Sequence, residues 1–265
     1  MLIKREKPFA DGYNSIVEQK GQHAEMLMDF GILKMQKNHT MTNNDDKERA
    51  YLLIKGRVTF EWEGKRVEAY RSSCFDENPW VLHLPAEADV TVTCLSQEAE
   101  LAVQKKDNCK RFQSKLFTQE ECRSEQFGAG TMNETSTRTV RTVFDAANAP
   151  ESNMVMGEVI NHPGKWSSYP PHDHPQPEVY HFRFFPDKGF GYSGQGDEVV
   201  LVRNNDTVTI LPFLTHPQVA APGYAMYYIW MIPHLEKARF GPDSRNWLEE
   251  HNWVMDHKAK IWPDR

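Results

Sequence analysis

The sequence predicts a mainly β protein with few helices, arranged as two similar barrels. Three observations carry this. Short runs of β-branched and aromatic residues recur between turn residues, which suits a sandwich or barrel rather than βαβ units. Long stretches with helical periodicity are scarce. Leu84-Pro85 and Leu211-Pro212 each close a strand-like run at matching points of the two halves, as an internal repeat would. In that register Asp89 takes the place of His216, and nothing in the first half answers His172-x-His174.

Residues 1 to 24 are polar with isolated apolar positions, as in an extended arm or edge strand. Met26 to Met35 reads as a strand bent at Gly31, and Lys37 to Lys47 as a polar loop in which His39 stands alone. Strand patterns follow at Ala50 to Ile54, Arg57 to Trp62, Val81 to Pro85, Val90 to Cys94 and Ala99 to Val103. Phe112 to Phe127, with Thr118-x-x-Glu121 as a capping box, is the best interior helix and would link the halves. The domain boundary is accordingly placed between residues 1–125 and 126–265.

The β pattern resumes with the strict alternation of Arg138 to Phe144 and a strand over Asn153 to Ile160. Glu178 to Phe185 would direct Glu178, Tyr180 and Phe182 to one face. Glu198 to Val202 turns at Asn204-Asn205-Asp206 into Thr207 to Pro212, and Tyr227 to Ile232 completes the series. Asp197-Glu198 forms a lid or a turn. The tail from Arg239 to Arg265 is aromatic and charged, with Trp247, Trp253 and Trp262 expected to pack a final helix or turns. His83 reads as a core histidine and His162 as structural, whereas His234, His251 and His257 read as solvent-facing.

The 265 residues carry a formal charge of −6, 39% hydrophobic and 26% charged residues. That acidic balance, without a basic aromatic cluster, argues against nucleic acid and against an anionic membrane surface as partners. The charged start lacks a secretory signal, and no apolar run is long enough to span a membrane. Cys74, Cys94, Cys109 and Cys122 form no C-x-x-C pair, so they read as reduced thiols of a cytoplasmic protein. Exposed edge strands and the N-terminal arm suit a homo-oligomer.

The chemistry concentrates between Asn161 and His216. His172 and His174 alternate on a strand and can face inward together, while the proline-rich turn after them brings Glu178 alongside. His216 follows the apolar run ending at Leu211-Pro212. Three imidazoles and one carboxylate around an open position suit a catalytic divalent metal, zinc first, with iron, manganese and nickel compatible with the same donors. An H-x-H pair alone would be weak evidence. Glu178 and His216 give it weight.

These residues resemble the cupin motifs: Gly164, His172, His174, Glu178 and Gly189 match the first, and Pro212 and His216 the second, with Leu214 where glycine is usual. The stretch Trp166-Ser167-Ser168-Tyr169-Pro170-Pro171-His172-x-His174 is similar to the 5-deoxy-glucuronate isomerases of myo-inositol catabolism. So are Pro186-x-x-Gly189-Phe190, His216-Pro217, Gly223-Tyr224 and Tyr227-Tyr228. Arg71-Ser72-Ser73-Cys74-Phe75-Asp76 resembles that family's degenerate first half. The resemblance implies a bicupin of two jelly-roll-like barrels, with the metal in the second. It also implies an aldose–ketose isomerisation of a small sugar acid, 5-deoxy-D-glucuronate to 5-dehydro-2-deoxy-D-gluconate. One departure concerns the substrate: the family runs Glu-x-Tyr-Tyr-His, whereas Glu178-Val179-Tyr180-His181-Phe182 turns its histidine to the opposite strand face.

Glu178 is committed to the metal, so another group must move the proton. Tyr180 and Tyr228 are the candidates, and Lys165 and Arg183 could hold the substrate carboxylate by charge, Arg183 from the outward face. An iron-dependent cupin dioxygenase would use the same ligands but consume oxygen. A non-catalytic sugar-binding cupin would not need a complete ligand quartet.

Overall fold

The computed structural model describes residues 1–256 and 258–263. It is built almost wholly of antiparallel strands, with short 3-10 turns as its only helices among the described residues. Val90–Cys94 alternates buried and half-buried positions as the sequence pattern implies, whereas Met154–Asn161 is buried along its whole length. The chain divides into two compact units: residues 6–123 with 143–155, and residues 1–5 with 124–142 and 156–265. The division comes close to residue 125. It differs from a single cut there, because the strands Arg138–Phe144 and Met154–Asn161 are shared out between the units and Met1–Arg5 belongs to the second.

In the first unit one long strand, Glu48–Trp62, serves two halves of the sheet. Its start pairs with Val81–Leu84 and Glu98–Lys106, and its end with Lys65–Arg71 and Val90–Cys94. The change of partners coincides with a register shift between Leu53 and Lys55 and with Gly56 at φ +106°, a conformation side chains resist. Between these layers lies a core that includes Leu53, Phe60, Leu82, Val92 and Leu101, all fully buried. Each such side chain stabilises the fold by about 1.5–3 kcal/mol relative to exposure.

Two expectations for this half are corrected. Phe112 to Phe127 is not a helix: Lys115–Phe117 pairs with Val81–Leu84, and Arg123–Phe127 is an edge strand. The capping-box residues close a turn instead, with Thr118 N–H donating to the Glu121 carboxylate at 3.0 Å and Glu121 N–H to the Thr118 carbonyl. The local signal was real, but strand pairing overrode its continuation as a helix. The loop after Lys37 contains a strand, Thr40–Asn43, paired with Val90–Cys94. At Gly31 the pairing with Gly12–Val17 shifts register, between Ser15 and Val17, and a side chain there would meet the Asn14 carbonyl at 2.5 Å.

In the second unit the sheet order runs Leu2–Ile3, Thr207–Ile210, Glu178–Phe185, Ala225–Pro233, Met154–Asn161, Arg138–Phe144, Arg123–Phe127. A smaller sheet orders Trp166–Ser167, Gln218–Ala220, Phe190–Gln195 and Glu198–Arg203. Gly196-Asp197 is a tight hairpin turn between the last two. As in the first unit, a central strand lies between two antiparallel partners. The Leu-Pro landmarks do not share a facing, however: Leu84 is fully buried and Leu211 is exposed.

The tail divides. Asn246–Trp247 pairs with His172–Asp173, and Glu249–Met255 forms a 3-10 turn. Trp253 and Trp262 are exposed rather than packed. His234 is buried, its Nδ1 accepting from Phe240 N–H, contrary to the solvent-facing reading, whereas His251 is exposed in part. His257 lies outside the described residues.

Candidate metal centre and active site

Three sequence elements converge at one end of the second unit. His172–Asp173 is a short strand, Glu178 begins the strand Glu178–Phe185, and His216 follows the Thr207–Ile210 strand. His174, Glu178 and His216 are buried, and one ligating atom of each lies within 4.8 Å of the others. Glu178 Oε2 is 3.3 Å from Nε2 of His174 and 3.3 Å from Nε2 of His216. His172 is buried beside them, its ring centre 5.1 Å from that of His216.

The other ring nitrogens are already in use. Nδ1 of His172, His174 and His216 lies 3.2, 3.0 and 2.9 Å from the carbonyls of Pro170, Gln176 and Leu214. In a neutral ring, an Nδ1–H that donates to a carbonyl leaves Nε2 as the lone pair. Nε2 of His174 and Nε2 of His216 both face the Glu178 carboxylate. Such an arrangement of acceptors suits a cation, and backbone-oriented imidazoles are the usual outer support of a metal ligand. Burial, and then the charge of His216, lowers His172 to about 2, and burial lowers His216 although the Glu178 carboxylate pulls it the other way. The donor set therefore fits a divalent metal.

Strand parity places the two tyrosines at this cluster. Tyr180 lies 6.0 Å ring to ring from His216 and 4.4 Å from Tyr228. The Tyr228 hydroxyl is 2.8 Å from Ser167 Oγ, and the Tyr180 hydroxyl 3.4 Å from Ser168 Oγ. Burial raises both phenols, Tyr228 to about 12 and Tyr180 well above its ordinary value, so both carry their protons. Ser168 sits at φ +49°, a left-handed conformation that costs a non-glycine residue of order 1 kcal/mol and is common at functional turns.

The remaining candidates stand elsewhere. His181 and Arg183 lie on the opposite strand face, where His181 Nδ1 is 2.9 Å from Thr207 Oγ1 and burial, then the Arg183 charge, disfavours its protonated form. Lys165 precedes the motif, and its charge acts on Glu134. The displaced histidine is thus not at the cluster.

Sequence reading did not single out the groups that close the site from the tail. The Trp247 ring is 4.7 Å from His172, and Phe240 is 5.2 Å from His174. Gln176 Nε2 donates to the Ala238 carbonyl at 2.7 Å, tying the motif to the same tail. Residues so distant in sequence give no spacing signal.

A family model described as the KduI/IolB family matches residues 1–254. The chain is 29% identical over 252 residues to a 5-deoxy-glucuronate isomerase of Geobacillus thermodenitrificans (strain NG80-2), covering 86% of each. It is 24% identical over 252 residues to the protein of that name from Bacillus subtilis (strain 168), covering 86% of this chain and 88% of the other. Its fold matches an IolB-like protein of Salmonella typhimurium LT2 with a TM-score of 0.82 at 23% identity, over 96% and 98% of the two chains. It matches an oxalate decarboxylase of Lactobacillus farciminis with a TM-score of 0.66 at 10% identity, over 92% and 86%. At these identities the structural likenesses establish the fold alone.

Proposed function

The chain belongs to the KduI/IolB family, and from that premise we propose that it is a metal-dependent aldose–ketose isomerase of a deoxy-uronate sugar. The relatives' names support a 5-deoxy-glucuronate isomerase, and the motif resemblance supports 5-deoxy-D-glucuronate to 5-dehydro-2-deoxy-D-gluconate, a step of myo-inositol catabolism, as the reaction. The observation that carries the reading is the buried His174–Glu178–His216 cluster, in which both imidazoles are held by backbone carbonyls and turn a ring nitrogen to one carboxylate.

In this isomerisation a proton leaves the carbon beside the aldehyde and is returned to the former carbonyl carbon. The hydroxyl proton moves from the second oxygen to the first, so atoms and electrons balance. A divalent metal, zinc by preference, would be held by His172, His174, Glu178 and His216, and would supply Lewis-acid stabilisation of the charge on the carbonyl oxygen. The chain's own residues then position and move protons. Tyr228 Oη and Tyr180 Oη are protonated and adjacent, so either can donate to an oxygen that becomes negative. Ser167 and Ser168 hold those hydroxyls in place. Trp247 and Phe240 flank the histidines and limit water.

The test is interconversion of the two sugars followed by proton NMR on metal-analysed protein, with and without chelator. Turnover that disappears on metal removal supports the proposal. A metal-loaded protein that leaves 5-deoxy-D-glucuronate unchanged overturns the substrate, and oxygen consumption would point to a dioxygenase.

A further inference from the structure

Two ligands of the candidate centre come from separate elements, and one short loop joins them. His174 follows the strand His172–Asp173, and His216 ends the loop that leaves Thr207–Ile210. Within that loop the Phe213 N–H donates to the His174 carbonyl at 2.9 Å. The next residue, Leu214, offers its carbonyl to Nδ1 of His216 at 2.9 Å. The far side of the loop is held as well. Gly196 N–H donates to the Thr215 carbonyl and Gly194 N–H to the Pro217 carbonyl, each at 2.8 Å, from the hairpin of Phe190–Gln195 and Glu198–Arg203.

Between these bonds the backbone turns at Phe213, which stands at φ +62°. That is the left-handed region, where a Cβ crowds the following carbonyl oxygen; glycine is its usual occupant and asparagine the next. Side-chain packing does not hold phenylalanine there. Phe213 is 62% exposed, and its ring meets no other aromatic ring among the described residues. A strained backbone persists only where its surroundings over-determine it, and such positions gather at functional sites. Here the surroundings are the two segments that carry His174 and His216.

We propose that Phe213 is a positioning residue: its left-handed backbone clasps the loop of His216 to the carbonyl of His174 and so fixes the spacing of two ligands of the metal centre. The role belongs to the backbone and not to the ring. The proposal rests on the metal-binding reading of the His174–Glu178–His216 cluster. The left-handed position is Phe213 and not Leu214, the residue that stands where the resembled motif carries glycine.

The experiment compares the wild type with F213G and F213N, which accept the left-handed region, and with F213V, whose branched side chain opposes it. Ring nitrogen chemical shifts of His216 in the metal-free protein report which nitrogen carries the proton. Competition with a chromophoric chelator gives the affinity for cobalt(II). The wild type, F213G and F213N are expected to keep Nδ1–H on His216 and to bind cobalt(II) within about threefold of one another, whereas F213V loses the fixed tautomer and roughly tenfold or more in affinity. Wild-type affinity in F213V overturns the proposal. So does an equal loss in F213G, F213N and F213V, since the ring would then carry the effect. The Phe213 amide should be protected from hydrogen exchange in the metal-free wild type, and free exchange there overturns the proposal even if F213V does not fold. A wild type with the protected amide and the fixed tautomer that takes up no cobalt(II) keeps the clasp and removes the metal reading.

Discussion

Nε2 of His174 and Oε2 of Glu178 lie 3.3 Å apart while the second nitrogen of His174 is bound to the Gln176 carbonyl. The imidazole is oriented before any ligand arrives. An imidazole nitrogen and a carboxylate oxygen at that distance can share a cation, and they are the first point at which the proposed function can be tested.

His174→Ala and Glu178→Gln should each lose bound metal and reduce turnover below detection. Metal analysis of the purified variants checks the first effect, and the NMR assay the second. Adding metal to chelated wild type should raise its thermal midpoint, since ligand binding to the native state alone stabilises by about 2.7 kcal/mol at a hundredfold excess over Kd.

Tyr228→Phe removes a hydroxyl but keeps the ring that stacks with Tyr180. Metal content should stay at the wild-type level, with kcat falling about 10²- to 10⁴-fold if Tyr228 moves a proton. Tyr180→Phe tests the second phenol in the same way. Unchanged kcat in both variants would exclude the tyrosines as proton carriers.

Trp247→Ala leaves every candidate ligand in place but removes the ring against His172. Loss of such outer support weakens metal binding about 10- to 100-fold in comparable sites. Competition with a chromophoric chelator measures it. Wild-type affinity would show that His172 is held by its own backbone alone.

The first unit makes a separate prediction. Glu48 is fully buried and receives His83 Nε2–H at 2.6 Å, Asn108 Nδ2–H at 2.7 Å and Asn153 N–H at 2.9 Å, with the Ser152 hydroxyl also donating. Burial pushes the carboxyl up, but these donors outweigh it and hold Glu48 below the usual range. A carboxyl depressed in the folded state stabilises fully above its unfolded value, about 4.3, and that stabilisation is lost as pH falls through the folded value. Glu48→Gln should cost about 3 kcal/mol at neutral pH and flatten the acid limb of stability. Denaturant unfolding from pH 7 down to pH 3 measures both. An unaltered pH dependence would show that Glu48 is not the group responsible.

Much of this molecule was legible in one dimension. Alternation with period two fixed which residues of Glu178–Phe185 face the cluster, because a strand's side chains leave its two faces in strict turn. It therefore put Tyr180 beside Glu178 and sent His181 and Arg183 away. The motif spacing brought His174 and Glu178 together through the short proline-rich turn between them, and Tyr228 arrived as the pairing partner of Phe182. Capping chemistry at Thr118 and Glu121 was also read correctly as a contact and wrongly as a helix, since a Glu side chain that accepts from the Thr backbone N–H can close a turn as well.

What the chain could not disclose depends on pairings between distant segments. Trp247 meets His172 only because Asn246–Trp247 adds a strand to the motif, and Phe240 reaches His174 by the same return of the tail. His234 looked exposed in a polar tail and is buried, since a histidine's surroundings are set by what folds over it. Local sequence determined the strands, their faces and the metal-ligand pattern, through backbone sterics and side-chain period. Only the tertiary structure decided which distant side chains enclose the ligands, because those contacts are selected by the packing of the whole unit.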